Sequence, residues 1–239
     1  MNMFDKYTSN YDMNDPDINY KYYHSYRVME IMEKLAITLN LSPKDIELAK
    51  VIGLLHDIGR FEQDKLYDSF KDGKFDHGDY GEKLLKETNF LKHFDILEED
   101  YEVVYKAVKN HNKYGIENTQ NERELFFSKL IKDADKLDIL YVLGSDKFDM
   151  LEKDNKDDIS KEIKDAFINN KLGNIKEIKT QNDKLIIPFT YIYDINFKES
   201  LKIIDKNKYY DKIYEKINNK DIFKEYIEYT NKYIAERID

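Results

Sequence analysis

Four of the five histidines, His24, His56, His77 and His111, each fall on or at the end of a different helical segment. His56 is followed at once by Asp57, and K-D-A-D-K-L-D from Lys132 offers Asp133, Asp135 and Asp138. Imidazole and carboxylate are the donors from which a divalent-cation site is built when thiolate is absent. The chain has no cysteine, which excludes disulfides, Cys-ligated zinc, iron–sulfur clusters and thiol nucleophiles. Mn, Fe, Co, Ni and Zn all suit such a donor set. Composition alone predicts about 0.6 His-Asp dipeptides, so the pair carries weight only through its partners. Most of these residues lie on the buried side of their segments, where a shared cation satisfies several imidazoles and carboxylates together.

The elements that must position these groups are visible as hydrophobic periods. Residues 1 to 20 are polar, with Asn14-Asp15-Pro16 as a turn-like lead-in. A helix follows with Val28, Met32 (or Ile31), Leu35 and Leu39 on one stripe, and His24 lies four residues before Val28 on that stripe. A second helix opens at Ser42-Pro43, with Ser42 as cap and Pro43 in the first turn. It is apolar nearly all round from Ile46 to Leu55, the pattern of a central buried helix, and it delivers His56 and Asp57. From Phe61 to Asp76 no period is visible, which predicts a long loop, either a lid over the site or an ordered linker. A helix from about His77 to Asn89 carries Tyr80, Leu84 and Leu85; another, from about Leu97, carries Val104, Val108 and His111 at i, i+4 and i+7. A fifth long helix, from about Leu125 to Leu143, holds the aspartates.

The whole chain, 239 residues, is 41% hydrophobic and 36% charged, with 3 Pro, 8 Gly and no Trp, which predicts an all-α protein. Its formal charge of −9 argues against a grip on duplex nucleic acid, though a few local cations suffice for one small nucleotide. No run approaches 18 apolar residues, and the N-terminus lacks a basic region followed by an apolar one, so a membrane span or export is not expected and the cytoplasm is the expected location. Past Gly144 the chain becomes highly charged to about residue 184. L-I-I-P-F-T-Y-I-Y at 185 to 193 has strand-like content but no strand to pair with and is assigned to helix, and two or three amphipathic helices follow Phe197.

The ordered pattern H…HD…H…H…D, with L-L-H-D-I-G-R-F from Leu54 to Phe61, D-H-G at Asp76 to Gly78 and K-D-A-D-K-L-D, resembles the HD superfamily of metal-dependent phosphohydrolases over roughly residues 20 to 145. The resemblance implies an HD-domain helical bundle with its core at residues 20–145 of a domain spanning 1–145; on 146–239 the family motif is silent, and their amphipathic pattern is read as a C-terminal helical extension packed on that domain rather than an independent one. It implies His24, His56, Asp57 and Asp135 around one metal, with Asp135 chosen by its place in the A-D-K-L element. By the same resemblance His77 and His111 would hold a second metal, with Asp57 bridging. Two cations about 3.5–4 Å apart can bridge and acidify a water and clamp the attacking and leaving oxygens at phosphorus. Arg60, three residues after Asp57, shares its face if the helix persists and neutralises a phosphate; its structural alternative is a salt bridge to Glu62 or Asp64. Lys136, beside Asp135, is a second candidate cation. Asp133 and Asp138 are expected to orient ligands or lie on the helix surface, and His93, which fits no motif position, to face solvent.

The resulting expectation is a phosphohydrolase acting on a nucleotide or another small phosphoester. The same six ligands also resemble the di-iron oxygenases of that superfamily, and a non-catalytic metal-binding regulatory module is the third reading; the chain keeps every ligand that such a module would be expected to lose.

Overall fold

The computed structural model describes residues 3–67, 75–117, 119–145, 158–218 and 220–238. They are all-α: the described residues form α-helices and short 3-10 turns, with no strand among them. Two compact units result, Met1–Asp135 and Lys136–Asp239.

In the first unit α1 spans Met3–Thr8, α2 Pro16–Thr38, α3 Pro43–Leu55, α4 Ile58–Tyr67, α5 His77–Glu87, α6 Tyr101–Asn110, and α7 begins at Glu122 and runs to Gly144. Local signals start the helices that carry histidines. Asp15 caps α2, its carboxylate accepting from the amides of Asp17 and Ile18, with Pro16 in the first turn. Ser42 caps α3 by accepting from the Asp45 amide, and Asp76 caps α5 by accepting from Gly78 and Asp79. The stripe of α2 is buried as its period predicts, through His24, Val28, Met32 and Leu35, and it packs on α3. All residues of α3 from Val51 to Leu55 are buried. Around this pair α4 packs on α5, α5 on α6, and α6 on α3.

Two sequence expectations need correction, and the condition set for Arg60 is not met. The lead-in contains α1, held by Phe4, whose ring is fully buried against Tyr22, Tyr26 and Phe61. The stretch after Arg60 is not loop throughout: Phe61 to Tyr67 continue α4, and its period is masked because Gln63 and Asp64 share the buried side with Phe61. The rest of the proposed lid, residues 68 to 74, lies outside the described residues. Finally, the central helix does not persist through the His-Asp pair, since α3 ends at Leu55, His56 caps it, and α4 starts at Ile58.

In the second unit α8 spans Lys161–Ile168, α9 Gln181–Thr190, α10 Lys198–Asn207, α11 Tyr209–Glu215 and α12 Lys220–Ile238. Residues 185 to 193 are helical, as expected: α9 opens on a capping box between Thr180 and Asp183 and passes into a 3-10 turn at Tyr191–Asp194.

Candidate metal centre

His24 projects from the middle of α2, His56 and Asp57 stand in the break between α3 and α4, His77 opens α5, His111 closes α6, and Asp135 lies on α7. The fold brings all six together. His24 Nε2 lies 3.2 Å from His56 Nε2, 3.1 Å from Asp135 Oδ1 and 3.5 Å from Asp57 Oδ2. His56 Nε2 is 3.6 Å from the same Asp57 oxygen. The other Asp57 oxygen, Oδ1, faces His77 Nε2 at 3.4 Å and His111 Nε2 at 3.2 Å, and those two nitrogens are 3.1 Å apart. Asp57 therefore presents one oxygen to each pair of imidazoles.

Two glycines allow the helices to come this close. A Cβ on Gly53 would stand 2.8 Å from Met29 Cα, so the α2–α3 contact that faces His24 to His56 requires the bare backbone. A Cβ on Gly59 would stand 2.2 Å from the carbonyl oxygen of His77, which makes the glycine of H-D-I-G-R the seat of α5 against α4.

The protonation chemistry suits a divalent ion. His56 Nδ1 is 2.7 Å from the Gly53 carbonyl and His111 Nδ1 is 2.7 Å from the Val108 carbonyl. A carbonyl only accepts, so each Nδ1 donates, and in that tautomer Nε2 is the ring nitrogen whose lone pair faces the cluster. Burial pushes the His56 imidazole below the ordinary histidine range, with Asp57 acting in opposition. Burial works against ionising Asp57, but Lys21 foremost, then His56 and His111, hold its carboxyl well below the usual carboxylate range. Burial likewise opposes ionisation of Asp135, whose contacts with His24 and His56 hold it well below that range. Neutral imidazoles and ionised carboxylates are the forms that bind metal. Lone pairs of several donors packed at contact distance repel one another unless a cation lies among them. Donor atoms of His24, His56 and Asp135, and of His56, Asp57 and His111, each lie within 4.8 Å of one another, so these residues fit the group their types imply.

Among the other residues singled out, Arg60 is near the cluster, its Nε 3.7 Å from Asp57 Oδ1 and its Nη1 donating to Gln63 Oε1 at 2.8 Å. Lys136 opens the second unit, and its ammonium is 2.6 Å from Asp194 Oδ2 in that unit. Asp133 and Asp138 are fully buried rather than on the helix surface. His93 is exposed. One close neighbour was not anticipated: Lys21, one turn before His24 on α2, donates to Asp57 Oδ2 at 2.6 Å. Its only sequence signal was the i, i−3 spacing to His24, which a chain with 39 Lys and Arg does not make conspicuous.

No helix of the described residues is long and apolar enough to cross a membrane. No curated protein and no solved structure matches the chain significantly. Residues 22–140, the stretch that carries all six converging side chains, match the family model of the HD domain. With its ordered histidines and aspartates gathered by an all-α fold, the chain belongs to the HD superfamily of metal-dependent phosphohydrolases.

Proposed function

We propose that the chain is a phosphohydrolase with a binuclear centre, cleaving a phosphoester of a nucleotide or another small molecule. The observation that carries the reading is Asp57, whose Oδ2 faces His24 and His56 while Oδ1 faces His77 and His111. With Asp135 completing the first group, His24, His56, Asp57 and Asp135 would hold one divalent ion, and His77, His111 and Asp57 the other. Two divalent cations supply, when bound, an acidified water for attack at phosphorus and positive charge for the attacking and leaving oxygens.

The chain's own residues set where substrate arrives. The imidazoles are nearly inaccessible, whereas the side chains of Asp135 and Arg60 are 18% and 13% exposed, so substrate approaches on their side. Arg60, held by Asp57 and Gln63 at the start of α4, presents a planar donor fork suited to a phosphoryl group. Lys136 is engaged with Asp194, and the phosphate contact is assigned to Arg60. The substrate is small and phosphorylated; the net charge of −9 disfavours a long polyanion.

The test is metal analysis of protein purified without a metal-affinity tag, followed by a phosphate-release screen over nucleotides and simple phosphoesters. Two equivalents of a transition metal are expected, with release lost in Asp57→Ala. A chain that takes up no metal, or an Asp57→Ala variant as active as wild type, refutes the reading. Iron-dependent oxygen consumption without phosphate release refutes it in favour of the oxygenase class.

A further inference from the structure

Lys21 has a place in the centre that the ligand set does not account for. Its ammonium donates to Asp57 Oδ2, the oxygen that His24 and His56 also face at 3.5 and 3.6 Å. On the other side the ammonium lies 5.8 Å from the centroid of the Tyr20 ring, and that ring stacks on His24 with centroids 5.9 Å apart and planes 7° from parallel. The Arg27 guanidinium is 5.7 Å from the same Tyr20 centroid. One surface of α2 thus aligns two cations and an aromatic ring beside a metal-ligating imidazole.

A divalent ion held by His24, His56, Asp57 and Asp135 draws on the same Asp57 oxygen. Ammonium and metal are like charges competing for one acceptor, and the metal carries the larger charge. His24 and His56, which face the same Asp57 oxygen, are 1% and 0% exposed at the side chain. The Lys21 side chain is 15% exposed, so its ammonium can leave Asp57 Oδ2 by turning toward solvent. A lysine suits such an exchange because its charge is a compact point on a flexible stem, with donors that rotate to a new acceptor.

We infer that Lys21 is an exchangeable counter-ion, neutralising Asp57 while the metal is absent and turning its ammonium to the phosphoryl oxygens of the substrate once the metal is bound. This rests on the phosphohydrolase reading and adds a substrate-binding cation to it. Arg60 and Lys21 then meet the phosphoryl group from α4 and α2.

The test uses the full chain stripped with a chelator and titrated calorimetrically with Mn²⁺, then the Mn²⁺-loaded chain titrated with inorganic phosphate. In Lys21→Met the competing cation is gone, so Mn²⁺ binds about tenfold tighter than to wild type, while phosphate binds about tenfold more weakly. Lys21→Arg restores phosphate binding. Lys21→Gln, which keeps a donor for Asp57 without charge, shows both changes and covers the case in which the methionine variant does not fold. Mn²⁺ affinity unchanged or weakened in both neutral variants, or phosphate affinity unchanged, overturns the exchange. Wild type that takes up no Mn²⁺ refutes the phosphohydrolase reading itself, whereas a wild type that loads normally beside unaltered neutral variants refutes only the role of Lys21.

Discussion

Gly59→Ala isolates one half of the centre. The added Cβ stands 2.2 Å from the His77 carbonyl oxygen, and the obstacle is backbone on α5 rather than the end of a flexible side chain. Relief requires α5 to retreat from α4 by about 1 Å, since ordinary contacts of this kind begin near 3.4 Å. Overpacking of this kind costs about 1–3 kcal/mol, which lowers the melting temperature of a chain this long by roughly 2–12 °C. The retreat carries His77 away from Asp57 Oδ1, now 3.4 Å distant, but leaves His24, His56 and Asp135 on α2, α3 and α7. The expected outcome is selective: the site of His77 and His111 weakens by roughly 10- to 100-fold, the scale on which disturbing a ligand's support lowers metal affinity, while the other keeps its affinity. Calorimetric titration with Mn²⁺ beside elemental analysis of the dialysed protein reads both sites. Two equivalents bound as tightly as in wild type, with an unchanged melting temperature, would refute the argument that Gly59 seats His77.

Three further substitutions probe other parts of the same construction. Asp135→Asn removes the carboxylate nearest His24, at 3.1 Å, and is expected to cut the metal content from two equivalents to one, retained by His77, His111 and Asp57, as read by elemental analysis. Phe4→Ala empties a fully buried ring site against Tyr22, Tyr26 and Phe61 and is expected to cost about 3–5 kcal/mol in urea denaturation, a loss that a dispensable N-terminal helix would not show. Asp15→Ala deletes the acceptor for the Asp17 and Ile18 amides and is expected to destabilise by about 1 kcal/mol in the same assay, with metal stoichiometry unchanged.

Two of the convergent histidines, His24 and His111, were placed by apolar periods that fix their side. His24 precedes Val28 by one turn, and His111 follows Val104 and Val108; all are buried. The cap at Ser42 with Pro43 placed the start of α3 correctly, whereas Asn14-Asp15-Pro16, read as a turn-like lead-in, holds the cap and first turn of α2. What escaped did so for physical reasons. Phe4 and Tyr7 of α1, with Tyr11 beyond its end, do carry a helical spacing, but six helical residues are too few for a period to stand out from polar neighbours. In α4 the inward face includes Gln63 and Asp64, and polar residues buried by specific contacts cannot be told in sequence from exposed ones. Lys21 and the Lys136–Asp194 pair are long-range partnerships, and local pattern carries no information about which distant carboxylate a lysine meets.

The break between α3 and α4 is what makes a neighbouring His-Asp pair serve two groups of ligands. In an unbroken helix, successive side chains diverge by about 100°, which would turn Asp57 away from the point His56 addresses. Here α3 stops at Leu55, α4 starts at Ile58, and the intervening turn returns Asp57 Oδ2 to within 3.6 Å of His56 Nε2 while leaving Oδ1 for His77 and His111. The same break puts the carboxylate immediately before α4, at the positive end of that helix dipole, which favours the ionised form. The turn is braced from outside: the Tyr7 hydroxyl donates to the Ile58 carbonyl at 3.3 Å, and the Tyr11 hydroxyl reaches Tyr7 and Glu62. The N-terminal aromatic cluster, remote from any ligand in sequence, thus acts on the centre through backbone position. The convergence of the six side chains depends as much on the residues that hold this turn as on the histidines and aspartates themselves.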